Sequence, residues 1–357
     1  MNSFGNLFKF TSFGESHGEA IGGVIDGCPS GLKIDMDRLR EAMKRRRPGQ
    51  SSLSTQRDEP DEVHFLSGIS NDITTGTPIA FIIKNKNVRS SDYSDLKTAF
   101  RPSHGDYTYW KKYGHVIFEG GGRASARETG IRCVVGEFAK LILAPLNISI
   151  IAYTQSVGPI STSEIKDELL TLENIDSNPV RCPDPAIASL MYDYITKLKT
   201  QGDSTGGTVK CIIKNVPAGL GEPVYDKLQS QMAFAMMSIN AVKAFEYGGG
   251  FDMCARKGSE VNDSMYMHDN DVCFGSNYSG GIQAGISNGA DIVFRVGFKP
   301  TASISKSQQT IDKMQHNAQI TITGRHDPCV VPRAIPIVEA MAAIVLADFY
   351  LMNKSKI

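Results

Sequence analysis

Residues 337–351 read IVEAMAAIVLADFYL, apolar on almost every face and rich in alanine. A helix of that composition has no side to offer water and belongs between the layers of a protein. Glu339 and Asp348 interrupt the run, so it reads as a buried core helix rather than a membrane span. Its start is expected just after Pro336. Upstream, short runs rich in Ile and Val and bounded by Gly, Pro or Asn predict strands at 20–26, 78–83, 148–154, 208–215 and 291–296. Helical patterns fall at about 186–200 and 226–238. A further helix opens at Ser125 and Glu128, a capping-box spacing, and carries Ile131, Val134, Val135, Phe138, Leu141 and Ile142 on one face. Helices and strands in similar amounts, without strict alternation, predict an α+β fold of layered sheets and helices. No linker or low-complexity tract divides the chain, so 1–357 reads as a single domain.

The chain has 357 residues, with 38 Lys+Arg balanced by 38 Asp+Glu. Zero net charge argues against binding nucleic acid or membrane through bulk charge; an anion site must come from a local patch. A hydrophobic share of 41% supports a sizeable core. The 7 cysteines are scattered, with no CxxC pair. That excludes a disulfide framework or structural zinc centre as a reading, predicts no metal site, and fits a reducing compartment. The opening MNSFGNLFKFTSFGESHG lacks the apolar core of a signal peptide, so a cytoplasmic location is expected.

Four segments could carry chemistry. Arg38, Arg40, Lys44, Arg45, Arg46, Arg47 and Arg57 surround a Pro48-Gly49 turn, which would put guanidinium forks at a helix end. Such forks suit phosphate and carboxylate, while a solvated basic face or a nucleic-acid patch is the plainer reading. The run 120–128, GGGRASARE, places glycines and arginines before a helix, where backbone N–H groups and the helix dipole favour an anion. Arg123, Arg127 and Arg132 add fixed charge there; a Gly-rich turn into an ordinary helix is the alternative. His17 and His104 each sit beside Gly and near an acidic residue in small-residue loops, where imidazole can relay a proton or simply hold the loop. The fourth is 323–328, TGRHDP, in which Arg325 offers a charge and Asp327 a carboxylate, or else a loop Asp stopped by proline.

Taken together, these stretches resemble chorismate synthases over nearly the whole chain. The matching motifs are FGESHG (13–18), RRRPG (45–49), TQRDEPD (55–61), RPSHGDYTYWKKYG (101–114) and GGGRASARET (120–129). CPDP (182–185), PAGLGEPVYDKL (217–228), MSINAVKAFE (237–246), KPTASI (299–304) and GRHDPC (324–329) follow in the family's order. The resemblance implies a sandwich of β-sheets with helices packed between them, assembled as a homotetramer. It implies conversion of 5-enolpyruvylshikimate 3-phosphate to chorismate and phosphate, an anti-1,4-elimination in the shikimate pathway to aromatic amino acids. Reduced FMN is needed without net redox change; it is understood to lend an electron transiently and to take the C6 hydrogen at N5.

By the same resemblance, His17 protonates the departing phosphate, His104 holds the protonation state of the flavin, and Asp327 assists hydrogen removal. Flavin contacts carry over to Arg123, Ala124, Ser125, Asn240, Ala241, Ala284, Lys299, Pro300, Thr301, Ala302, Ser303 and Arg325. Substrate contacts carry over to Arg46, Arg47, Arg101 and Arg132. Two positions depart from the family pattern. Ser52 stands where a basic residue is common, leaving Arg46 one partner fewer, and Ala284 stands in place of glycine, which a backbone contact tolerates. With no extra nicotinamide segment, NADPH is expected to act only through a separate flavin reductase. A nucleic-acid-binding protein using 38–57 and a flavin-independent phosphate-handling transferase are the rival readings.

Overall fold

The computed structural model describes residues 1–49, 53, 59–86, 99–114, 121–322 and 326–355. Two antiparallel five-stranded sheets enclose a helical layer. The first runs Ser3–Phe4, Lys9–Gly14, Ala20–Asp26, Ile79–Lys84, Val63–Phe65 in spatial order. The second runs Val242–Tyr247, Ile292–Phe298, Gly207–Lys214, Ser149–Val157, Ile160–Ser161. The helix Thr129–Leu143 packs on the first sheet through Ala20–Asp26, and the helix Val331–Lys354 packs on Ser149–Val157 and Gly207–Lys214 of the second. The two helices pack on each other, which gives the α+β sandwich with helices between sheets. All five expected strands form, within a few residues at each end.

Close approach of the two helices depends on small residues. A Cβ at Gly136 would stand 2.5 Å from the Cβ of Ala340, so the pair meets almost backbone to backbone. The two acids of the central helix are satisfied rather than solvated. Glu339 binds Arg45 and accepts from the N–H of Ala152, while Asp348 accepts from the N–H groups of Asn6, Leu7 and Phe8. These bonds tie the helix to the second sheet and to the N-terminal strands, as buried charge requires.

Two expectations change. The central helix begins at Val331, with Pro336 inside it rather than before it. Proline removes the N–H that would bond the carbonyl of Pro332, and Arg181 Nη1 donates to that carbonyl instead, at 2.7 Å. The capping box at Ser125 and Glu128 does not form. Ser125 caps only a short 3-10 turn, Ala126–Glu128, and Glu128 turns to Arg132. The regular helix starts one residue later, at Thr129.

Candidate active site

A cavity of about 350 Å³ lies where the ends of several elements converge. His17 enters from the loop joining Lys9–Gly14 to Ala20–Asp26, and Arg46 from the C-terminal end of the helix Met36–Arg46. Arg101 and His104 come from the loop before the helix Asp106–Tyr113. Ala124 to Arg127 occupy the 3-10 turns before Thr129–Leu143. Asn240 and Ala241 precede Val242–Tyr247, and Lys299 to Ser303 follow Ile292–Phe298. Lys299 N–H donates to the carbonyl of Ala241, closing these two loops together. Asp327 and Arg333 complete the wall at the start of the central helix.

The wall is strongly cationic. Among the described residues it carries Arg46, Arg101, Arg127, Lys299 and Arg333 against the single carboxylate of Asp327. Asp327 pairs with Arg333 within the wall, whereas the acids that pair with Arg46, Arg127 and Arg101 stand behind them, outside the cavity lining. Asp61 is wholly buried and accepts from both Arg46 and Arg127. Burial would raise its carboxyl, but the two guanidinium groups hold it below the usual carboxylate range. Asp106 accepts from Arg101 through Nε and Nη2, both at 2.7 Å, and from His104 Nδ1 at 2.8 Å. Here too burial opposes ionisation, and the hydrogen bonds from Arg101 and His104 overcome it and keep the carboxyl ionised. An ionised Asp106 fixes the proton on His104 Nδ1 and leaves Nε2 as the nitrogen free to exchange one.

Lys299 Nζ donates to the carbonyl of Ser103 at 2.5 Å, and burial together with Lys243 holds its amine below the usual lysine value. Ser103 and Ala241 both take positive φ, 57° and 69°, conformations that cost non-glycine residues energy and cluster at functional sites. Among the described residues, the Oδ1 of Asn240 and the Oγ1 of Thr301 are buried without a hydrogen-bond partner. Polar groups of this kind at a cavity wall are suited to a polar ligand. Cys329, nearby in sequence, has its thiol pushed up to about 12 by burial and is no nucleophile.

His17, His104, Asp327, Arg46, Arg101, Ala124, Ser125, Asn240, Ala241 and Lys299 to Ser303 therefore share one cavity. Four expected residues stand apart. Arg132 spends its guanidinium on Glu128 and Ser238, and Arg127, one turn earlier, lines the cavity instead. Arg47 lines a neighbouring cavity with Asp176 and Arg181. Arg123 reaches back to Ser12 and Gly14, bracing the strand that leads into the His17 loop. Ala284 borders a separate hollow beside Phe251 and Tyr278. Arg325 falls outside the described residues. Of the RRRPG arginines, Arg45 is structural, bound to Asp176 and Glu339. Sequence reasoning missed Arg333 and undervalued Arg127. Nothing in the local pattern marks Arg333, whereas Arg127 stood in plain view beside the glycines.

A layered α+β fold with a cationic cavity, three histidines (His17, His104 and His326) and a carboxylate fits an enzyme acting on a small molecule. The family model described as chorismate synthase matches residues 8–351. A chorismate synthase of Christiangramia forsetii is 57% identical over 354 residues, covering 99% of this chain and 98% of that protein. One from Phocaeicola vulgatus is 55% identical, covering 99% of each. A crystal structure of chorismate synthase superposes with a TM-score of 0.78 at 30% identity, covering 98% of this chain and 93% of the other. The chain belongs to the chorismate synthase family, whose members are carbon–oxygen lyases.

Proposed function

We propose that the cavity takes 5-enolpyruvylshikimate 3-phosphate beside reduced FMN and releases chorismate and phosphate. The observation that carries this is the convergence of His17, His104, Asp327 and an excess of guanidinium groups on one cavity. Its volume of about 350 Å³ falls within the roughly 300–1,000 Å³ that ligand sites commonly span. The substrate bears a phosphate and two carboxylates, which an overall neutral chain can only hold by concentrating cations as this wall does.

The residues suited to the flavin are Ala124, Ser125, Asn240, Ala241 and Lys299 to Ser303, with Arg325 outside the described residues. The unpartnered Asn240 Oδ1 and Thr301 Oγ1 suit its polar edges, and the Lys299 ammonium suits its phosphate. When bound, reduced flavin supplies the electron density that lets a C–O bond break where no carbonyl acidifies the neighbouring hydrogen. Arg46, Arg101 and Arg127 neutralise the substrate's anions and orient C3 towards His17. His17 gives a proton to the leaving phosphate. His104, its Nδ1 proton held by Asp106, keeps a donor or acceptor at Nε2 facing the ring system. Asp327, bound to Arg333, assists removal of the C6 hydrogen.

Several coarser features belong to the same reading. The chain acts as one domain, since a single buried core joins residues of both sheets. Phe251, Met265, Tyr266, Met267 and Val272 are exposed large apolar side chains, which supports subunit contacts of the kind a homotetramer makes. The enzyme works in the cytoplasm, with flavin reduced by a separate NADPH-dependent reductase. The deciding experiment adds FMN and 5-enolpyruvylshikimate 3-phosphate to the purified chain under reducing, oxygen-free conditions. Chorismate absorbance is the expected result; no chorismate, with substrate recovered intact, overturns the proposal. Chorismate formation driven by NADPH and FMN without an added reductase would overturn the separate-reductase part alone.

A further inference from the structure

Asn85 follows the strand Ile79–Lys84 and is not among the residues lining the cavity. Its side chain nevertheless makes three hydrogen bonds that meet from two sides of the cavity. Its Oδ1 accepts from Arg127 Nε at 2.8 Å. Its Nδ2 donates to the carbonyl of Glu15 at 2.9 Å and to that of Gly18 at 2.8 Å, the two residues that bracket Ser16 and His17. Only one orientation of the amide satisfies all three, because the guanidinium can only donate and the carbonyls can only accept.

Arg127 is held on its other side by Asp61, which also grips Arg46. Asp61 takes a positive φ of 51°, tolerable for Asp and needed to turn its carboxylate towards both guanidinium groups. The chain of contacts thus runs Arg46, Asp61, Arg127, Asn85, His17 loop. Without the wholly buried Asp61, two like charges would stand side by side and repel. Asn85 is thus a side-chain link between the His17 loop and the Arg127 end of this cluster; within the loop, Ser16 Oγ and His17 Nδ1 lie 3.1 Å apart and Gly18 N–H donates to the Glu15 carbonyl.

We infer that Asn85 is a positioning residue for the elimination: it fixes the His17 loop to the Arg46–Asp61–Arg127 cluster, so that proton donor and anion clamp address one phosphate at a set spacing. The inference rests on the proposed roles of His17 and Arg46. A donor displaced by about 1 Å from its productive position costs on the order of 10²-fold in rate. The same displacement leaves the clamp able to bind.

Asn85→Asp separates these effects. One carboxylate oxygen, in place of Oδ1, still accepts from Arg127, but the other, in place of Nδ2, faces the Glu15 and Gly18 carbonyls with no hydrogen to give. In FMN-supplemented enzyme under anaerobic reducing conditions, kcat is expected to fall 10- to 100-fold while KM for 5-enolpyruvylshikimate 3-phosphate stays within threefold. Asn85→Ala, which drops both links, is expected to show the same kcat loss and a raised KM. The decisive comparison is Asn85→Asp introduced into His17→Ala. If Asn85 acts through His17, the second substitution costs less than threefold more. Full multiplication of the two losses, or wild-type kcat in Asn85→Asp, overturns the inference. A His17→Ala enzyme with wild-type kcat overturns instead the proposed role of His17. Unchanged FMN affinity and melting temperature in Asn85→Asp exclude a folding defect as the source of any loss; a fall in both with the kcat overturns the positioning role.

Discussion

His104 Nδ1 lies 2.8 Å from Asp106 Oδ1, and the same carboxylate binds both arms of Arg101. One buried acid therefore sets the tautomer of a histidine and the direction of a guanidinium that line the same cavity. Replacing it by the isosteric Asn85-like amide, Asp106→Asn, should leave Arg101 buried without a counter-charge, which typically costs about 3–5 kcal/mol. Denaturant unfolding reads that loss. The kcat of the folded fraction should drop tenfold or more, because an amide can present its N–H to the ring and select the wrong tautomer.

Substituting either histidine tests the chemistry directly. His17→Ala and His104→Ala should each lower kcat on the order of 10²–10⁴-fold, the usual worth of a positioned proton-transfer group. Binding of FMN, followed by fluorescence, should persist in His17→Ala. A kcat within threefold of wild type in both variants removes these assignments.

The acid limit of stability follows from the two depressed carboxylates. Asp61 and Asp106 titrate below the ordinary carboxylate value when folded, so ionised carboxylates favour the native state. Their contribution is complete above the unfolded value of about 3.9 and is lost as pH falls through the lower folded values. Unfolding free energy measured from about pH 6 to pH 3 should therefore fall steeply only at the acid end. Asp106→Asn should flatten that fall. An identical slope in wild type and variant would contradict the sign.

Helix contact in the central layer offers a stability test away from the cavity. Gly136→Ala puts a methyl 2.5 Å from the Cβ of Ala340, so one helix must move. Overpacking of this kind costs about 1–3 kcal/mol, outweighing the gain in helix propensity, and should lower the melting temperature. Ala340→Gly in the same chain should recover part of the loss. An unchanged or higher melting temperature in Gly136→Ala would show that the helices have room to spare.

Much of the architecture was legible along the chain. The strands showed themselves because Ile and Val runs ended at Gly, Pro or Asn, and the central helix because it offered water no face. Its start differs from the expectation, since a local rule stops helices at proline, whereas Arg181, 151 residues before Pro332 in sequence, donates to the Pro332 carbonyl left without its N–H partner. The Ser125 capping box failed for a similar reason, because Glu128 found a better partner in Arg132 than in the cap. The arginines were visible as clusters, yet their division of labour was not. Arg45, Arg46 and Arg47 are adjacent, and the helix end turns them to Glu339, to the active cavity and to a neighbouring hollow.

Residue order alone established the family, the α+β layering and which histidines and arginines merited attention, because those follow from motif identity and from hydrophobic period. The selection among those arginines, and the roles of Asp61, Asn85, Asp106 and Arg333, came only with folding. Hydrogen bonds and charges act over a few ångströms in space, and segments far apart in the chain must be brought within that reach before any of these pairings exists.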